Sequence, residues 1–139
     1  MARILLIDDE DPFRAMLTIA LTDAGHLVTE ARNGKEGLAL FEQLKPDLII
    51  TDLFMPETEG LEVLQQLWKR EPPVKIIVMS GGWDNRAGYL RAAGFLGAGK
   101  VLAKPFANRV LLAAIDELLA DQGAAAPADK EPPPPHLGR

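Results

Sequence analysis

The sequence predicts an α/β fold: one five-stranded parallel sheet, doubly wound, with helices on both faces. Two observations carry this. Short apolar runs alternate with stretches of helical spacing five times along the chain, the mark of parallel strands buried on both sides. The connections between runs suit helical crossovers, which are right-handed and therefore send helices to both faces of the sheet.

The first strand is expected over about 2–7, around Ile4, Leu5, Leu6 and Ile7. Behind it, Phe13, Met16, Leu17, Ala20 and Leu21 recur at helical spacing as a buried stripe. Asp11 and Pro12 supply an N-cap and a first-turn proline, and Gly25 closes the helix. A second strand follows over 26–31. The second helix carries Gly37, Leu40, Phe41 and Leu44 on one side and stops before Pro46. The third strand spans 47–52, and its helix carries Leu61, Leu64, Leu67 and Trp68. After a fourth strand over 74–79, a helix over about 85–96 contains Gly88, Gly94 and Gly97. Those glycines thin its packing surface, so it is expected to be the most mobile helix. The fifth strand spans 99–103. The last helix presents Leu111, Ala114, Ile115, Leu118 and Leu119. Residues 1–121 are thus read as one domain, and 122–139, with Pro127 and Pro132 to Pro135, as a disordered, solvated tail.

Composition narrows the function. Of the 139 residues, 47% are hydrophobic and 25% charged, which suits one well-filled globular core. A net charge of −5 argues against a nucleic-acid partner, which needs a basic face. No apolar stretch is long enough to span a bilayer and no signal-peptide pattern opens the chain, so a cytoplasmic location with no membrane partner is expected. Having no cysteine, the chain makes no disulfide and uses no thiolate chemistry.

The chemistry gathers at strand ends. Parallel strands deliver their C-terminal ends to one edge, where open α/β sheets bind ligands. Asp8 and Asp9 follow the first strand, Asp52 ends the third, Ser80 follows the fourth, and Lys104-Pro105 follows the fifth. Asp8 and Asp9 could serve simply as helix N-terminal charge with Glu10 and Asp11, and Asp52 as a turn or cap residue. Sharing one mouth, however, three carboxylates repel, and a hard divalent cation relieves them. Mg²⁺ suits this best because it takes one or two carboxylates, a phosphate oxygen and several waters; Mn²⁺ also fits. Lys104 offers a compact positive charge to a phosphoryl oxygen or to Asp52, and Ser80 a hydroxyl.

With those residues in place, the chain over about 2–121 resembles the CheY-like receiver domains of two-component response regulators, of the stand-alone type. Asp8 and Asp9 match the acidic pair of that family, and Asp52 its phosphoacceptor. Met55-Pro56 and Gly60 match the loop that follows, and Ser80 and Lys104-Pro105 the hydroxyl and lysine positions. The resemblance implies a flavodoxin-like (βα)5 sheet in strand order 2-1-3-4-5. It implies Mg²⁺ held by Asp9, Asp52 and the backbone carbonyl of Phe54, with Asp8 acting through water, and a cis peptide before Pro105. One position departs from the pattern: Val101 stands where many receivers keep a switching aromatic.

By that resemblance the chain is a phosphoacceptor, not an enzyme with a separate substrate, although it assists its own phosphoryl transfer and dephosphorylation. The donor is a histidine kinase or a histidine phosphotransfer protein. Its output is a partner that prefers one state, or onward transfer to a second histidine in a phosphorelay. A monomer or a weak homodimer through the fourth helix is expected, with Trp83 and Tyr89 as contacts. A haloacid-dehalogenase-type hydrolase would place a second acid two residues after Asp52, where Phe54 stands. A flavin or nucleotide site would want a phosphate-cradling loop after the first strand, and Asp8 to Asp11 repel phosphate unless a metal intervenes. His26 and His136 have no partner at metal-ligand spacing and are read as having no special role.

Overall fold

The apolar runs form β1 (Arg3–Ile7), β2 (Leu27–Ala31), β3 (Leu48–Asp52), β4 (Ile76–Ser80) and β5 (Lys100–Ala103). The helices are α1 (Asp11–Asp23), α2 (Gly34–Leu44) and, at the C-terminal side of β5, α3 (Asn108–Ala120). This computed structural model describes residues 1–52, 66–67, 75–80 and 100–120. All five strands are parallel, in the order β2-β1-β3-β4-β5. The register sets Ile7 beside Ala31 and Thr51, Asp52 beside Met79, and Ser80 beside Ala103, so the strands finish along one edge.

The central strands β1, β3 and β4 are apolar on both sides because each side meets a helix layer. Ile4, Leu6, Leu48, Ile50, Ile77 and Met79 pack with Leu17 and Leu21 of α1 and Leu111, Ile115 and Leu118 of α3. On the other face Leu5, Ile7, Ala31, Ile49, Ile76 and Val78 pack with Leu38, Leu40, Phe41 and Leu44 of α2 and with Leu67. Leu17, Leu21 and Ile115 are fully buried, worth about 1.5–3 kcal/mol each relative to exposure. The predicted doubly wound sheet and its strand order are both present.

The first helix departs from expectation in two ways. Met16 is 49% exposed, whereas Arg14 is buried. The stripe that meets the sheet is Arg14, Leu17 and Leu21, and Met16, one residue from Leu17, is turned about 100° away from it. Asp11 is not the N-cap: it is already helical, Glu10 holds the cap position without a side-chain bond, and the Asp11 carboxylate pairs with Arg14 at 2.7 Å. Pro12 sits in the first turn as predicted. At the other end Gly25 adopts φ 97°, which a side chain would disfavour. Its N–H donates to the Thr22 carbonyl at 2.9 Å and that of His26 to Leu21 at 3.1 Å, a Schellman closure.

The second helix starts on Asn33, whose side chain accepts from the Glu36 N–H at 2.8 Å while Glu36 accepts from the Arg32 N–H at 2.6 Å. It ends at Lys45 in the left-handed conformation, just before Pro46. Gln66 and Leu67 are helical, with Leu67 buried. The expectations for Phe54, Leu61, Leu64, Trp68, Trp83, Tyr89, the fourth helix and the tail lie outside the described residues.

Candidate functional site

The shared strand edge brings Asp8, Asp9 and Asp52 together: a carboxylate oxygen from each lies within 4.8 Å of the others. Asp8 is completely buried, Asp52 is 7% exposed, and Asp9 faces solvent. Three hard oxygen donors at this spacing, two of them shielded, fit a small divalent cation. Among the described residues this is the sole acidic group with that geometry.

Lys104 reaches the same place from the end of β5. Its ammonium lies 3.2 Å from Asp8 Oδ2, 3.4 Å from Asp52 Oδ2 and 3.8 Å from Glu10 Oε1. The ammonium also meets an aromatic pair that the sequence alone did not reveal. The ammonium sits 4.2 Å above the centre of the Phe13 ring, and Phe13 meets Phe106 edge to face at 6.1 Å. Between these residues, the Lys104–Pro105 peptide is cis.

Electrostatics at the site are set by burial. Burial pushes the Asp8 carboxyl above the ordinary carboxylate range, and neither the Glu10 N–H, donating at 2.8 Å to Asp8 Oδ1, nor Lys104 cancels that cost. Lys104 is also penalised by burial, but the carboxylates of Asp52 and Asp8 more than offset it and raise its pKa. The two directions share one origin. Asp8 is buried beside Asp9 with limited compensation, whereas Lys104 faces more than one carboxylate. A bound cation would complete the compensation that Asp8 lacks.

Sequence reasoning passed over Arg14. Its Nη1 donates to the Asp8 backbone carbonyl at 2.7 Å, its Nε to Glu30 at 2.8 Å and its Nη2 to Asp11 at 2.7 Å. The available signal was its spacing of three and seven residues from Leu17 and Leu21, which puts a charge on the inward stripe.

Ser80 ends β4 in register with Ala103, next to Lys104 in the chain; the role expected of its hydroxyl, like that of the Phe54 carbonyl, lies outside the described residues. Val101 is partly buried on β5, beside Val78, in the core on the α2 face of the sheet. His26 accepts from the Ala2 N–H at 3.1 Å through Nδ1, away from the acidic residues.

Comparison with known proteins agrees with this geometry. The family model for the response regulator receiver domain matches residues 4–116. The chemotaxis protein CheY of Thermotoga maritima is 34% identical over 84% of this chain and 96% of its own length. The phosphate regulon transcriptional regulatory protein PhoB of Pseudomonas aeruginosa is 35% identical over 94% of this chain, which spans 56% of PhoB's length. The response regulator TrrA of Thermotoga maritima, solved in complex with Mg²⁺ and beryllium fluoride, superposes with a TM-score of 0.75 at 30% identity, covering 85% of this chain and 99% of TrrA. No described helix is long and apolar enough to cross a membrane.

Proposed function

This chain belongs to the response regulator receiver domains of two-component systems, and from that premise we propose that it accepts a phosphoryl group on Asp52 from a phosphohistidine donor. The observation that carries the proposal is Lys104 bridging Asp8 and Asp52 beside Asp9 at one strand edge. In this reading an Asp52 oxygen attacks phosphorus, the P–N bond of the donor breaks, and its electron pair remains on the leaving imidazole. The product is an acyl phosphate. Lys104 then leaves its bridging position to meet the phosphoryl oxygens, whose added charge replaces that of the carboxylate it neutralised.

Asp9 and Asp52, with the Phe54 carbonyl, would hold Mg²⁺ directly and Asp8 through water. The ion supplies charge neutralisation to the transferring group. The similar TrrA, solved in complex with Mg²⁺ and beryllium fluoride, supports Mg²⁺ as the ion. Ser80 is assigned the hydroxyl that answers the new oxygens. The donor is a histidine kinase or histidine phosphotransfer protein in the cytoplasm, and the output is a protein that prefers one of the two states. The chain acts as a phosphoacceptor and has no separate substrate to turn over.

Incubation with acetyl phosphate and Mg²⁺ should add about 80 Da, the mass of one phosphoryl group, and Asp52→Asn should abolish the adduct. Undiminished labelling of Asp52→Asn would overturn the assignment.

A further inference from the structure

We infer that Arg14 is a positioning residue for the metal site, acting through the Asp8–Asp9 peptide and touching neither metal nor phosphoryl group. The inference rests on the Mg²⁺ reading above. Asp8 is anchored at each of its polar groups. Its N–H donates to the Ala31 carbonyl at 3.1 Å, extending the pairing of β1 with β2. Its carboxylate accepts from the Glu10 N–H and from Lys104. Its carbonyl accepts from Arg14 at 2.7 Å in a buried contact. That last bond fixes the plane of the peptide linking Asp8 to Asp9, and so the direction in which Asp9 leaves the backbone.

The guanidinium is itself held by Glu30 of β2 and by Asp11 on its own helix. Its planar fork serves acceptors on β2, on α1 and in the loop between β1 and α1 at the same time, which an ammonium does not do from one point. Glu30 and Asp11 also balance its charge, so its effect on the acidic residues comes through geometry more than through its field. Without Arg14 the Asp8 carbonyl would be buried without this donor, and the peptide would turn to find another. Asp9 would then leave the converging arrangement that places the three carboxylates within 4.8 Å.

The test compares Mg²⁺ affinity, read from amide chemical shifts of residues 8–11 in the unphosphorylated full chain, with thermal stability. Arg14→Met should bind Mg²⁺ at least about tenfold more weakly than the parent, the scale seen when partners that orient metal ligands are removed. Arg14→Lys guards against a fold too weakened to measure. Its ammonium is drawn to the two carboxylates in preference to the neutral carbonyl, so affinity falls in the same direction. The control is the double variant Asp11→Asn/Glu30→Gln, which weakens the ion pairs but keeps the carbonyl bond. It should lower the melting temperature yet bind Mg²⁺ within about twofold of the parent, because the peptide stays oriented. Equal weakening in the double variant and in the Arg14 variants would overturn the inference, as would Arg14 variants that bind like the parent. A parent chain that binds no Mg²⁺ would overturn the metal reading and this inference with it.

Discussion

At the scale of single residues, Asp8 and Lys104 form a pair whose members respond to burial differently, and their pH behaviour separates them. The native Asp8 pKa lies above its ordinary value of 3.8, so the metal-free native state holds that proton more firmly than the unfolded chain. The resulting stabilisation is complete below 3.8 and is lost as pH rises through the higher native value; at neutral pH the buried charge is a standing cost. Lys104 has its native pKa above 10.5, so its contribution is complete below 10.5 and is lost as pH rises through the native value. Chemical unfolding of metal-free protein across pH should therefore show stability falling as pH rises through the acidic range, a fall that Asp8→Asn removes, and a further alkaline fall that Lys104→Met removes. Profiles of both variants parallel to the parent throughout would contradict the assignment. Of these residues the sequence displayed Asp8, Asp9, Asp52 and Lys104, because strand ends announce them. It did not display Phe13, Phe106, Glu30 or Arg14 as members of the site, since their roles depend on which way a helix is rotated and which loop lies opposite.

At the scale of elements, α2 lies close to β1 because Gly37 presents no side chain. A Cβ built there would sit 2.4 Å from Ile7 Cδ1 and 2.8 Å from Ile7 Cγ1, and Ile7 is fully buried with little room to yield. Gly37→Ala gains about 1 kcal/mol in helix propensity. Overpacking costs about 1–3 kcal/mol, so the net effect should be destabilising. Ile7→Val removes the methyl nearest the new Cβ, and the double variant should be destabilised by less than the sum of the two single changes. Denaturant midpoints for the four proteins check this; strict additivity would show that the helix simply moves away. Element existence was legible for α1, α2 and α3 because their apolar spacing is regular, and Pro12, Gly25 and Pro46 mark ends of the first two; the Asn33 cap of α2 emerged only in the structure. The exact face of α1 was not. Phe13, Leu17 and Leu21 do turn to the core as their spacing predicts, but Met16 faces outward and Arg14, an arginine with three acceptors, takes an inward place beside them.

At the scale of the molecule, the core on the α1 and α3 face of the sheet is closed by Leu118 and Leu119 of α3, before the proline-rich segment begins. A chain ending at Gln122 should therefore melt with the parent and take up acetyl phosphate at the same rate. A large fall in either would show that later residues support the fold. The sequence by itself determined the fold class, the order of strands and helices, and the delivery of acidic and basic residues to one edge. Apolar periodicity is local, and parallel strands joined by crossovers have their C-terminal ends on the same side whatever the details of packing. Family resemblance added the strand order. Only the tertiary structure decided that Asp8 is buried while its neighbour Asp9 is exposed, that Lys104 rests on Phe13, and that Arg14 grips the Asp8 carbonyl. Those contacts join residues remote in the chain or turn on a rotation of one helix position, and their energies depend on burial and on facing partners that no local pattern encodes.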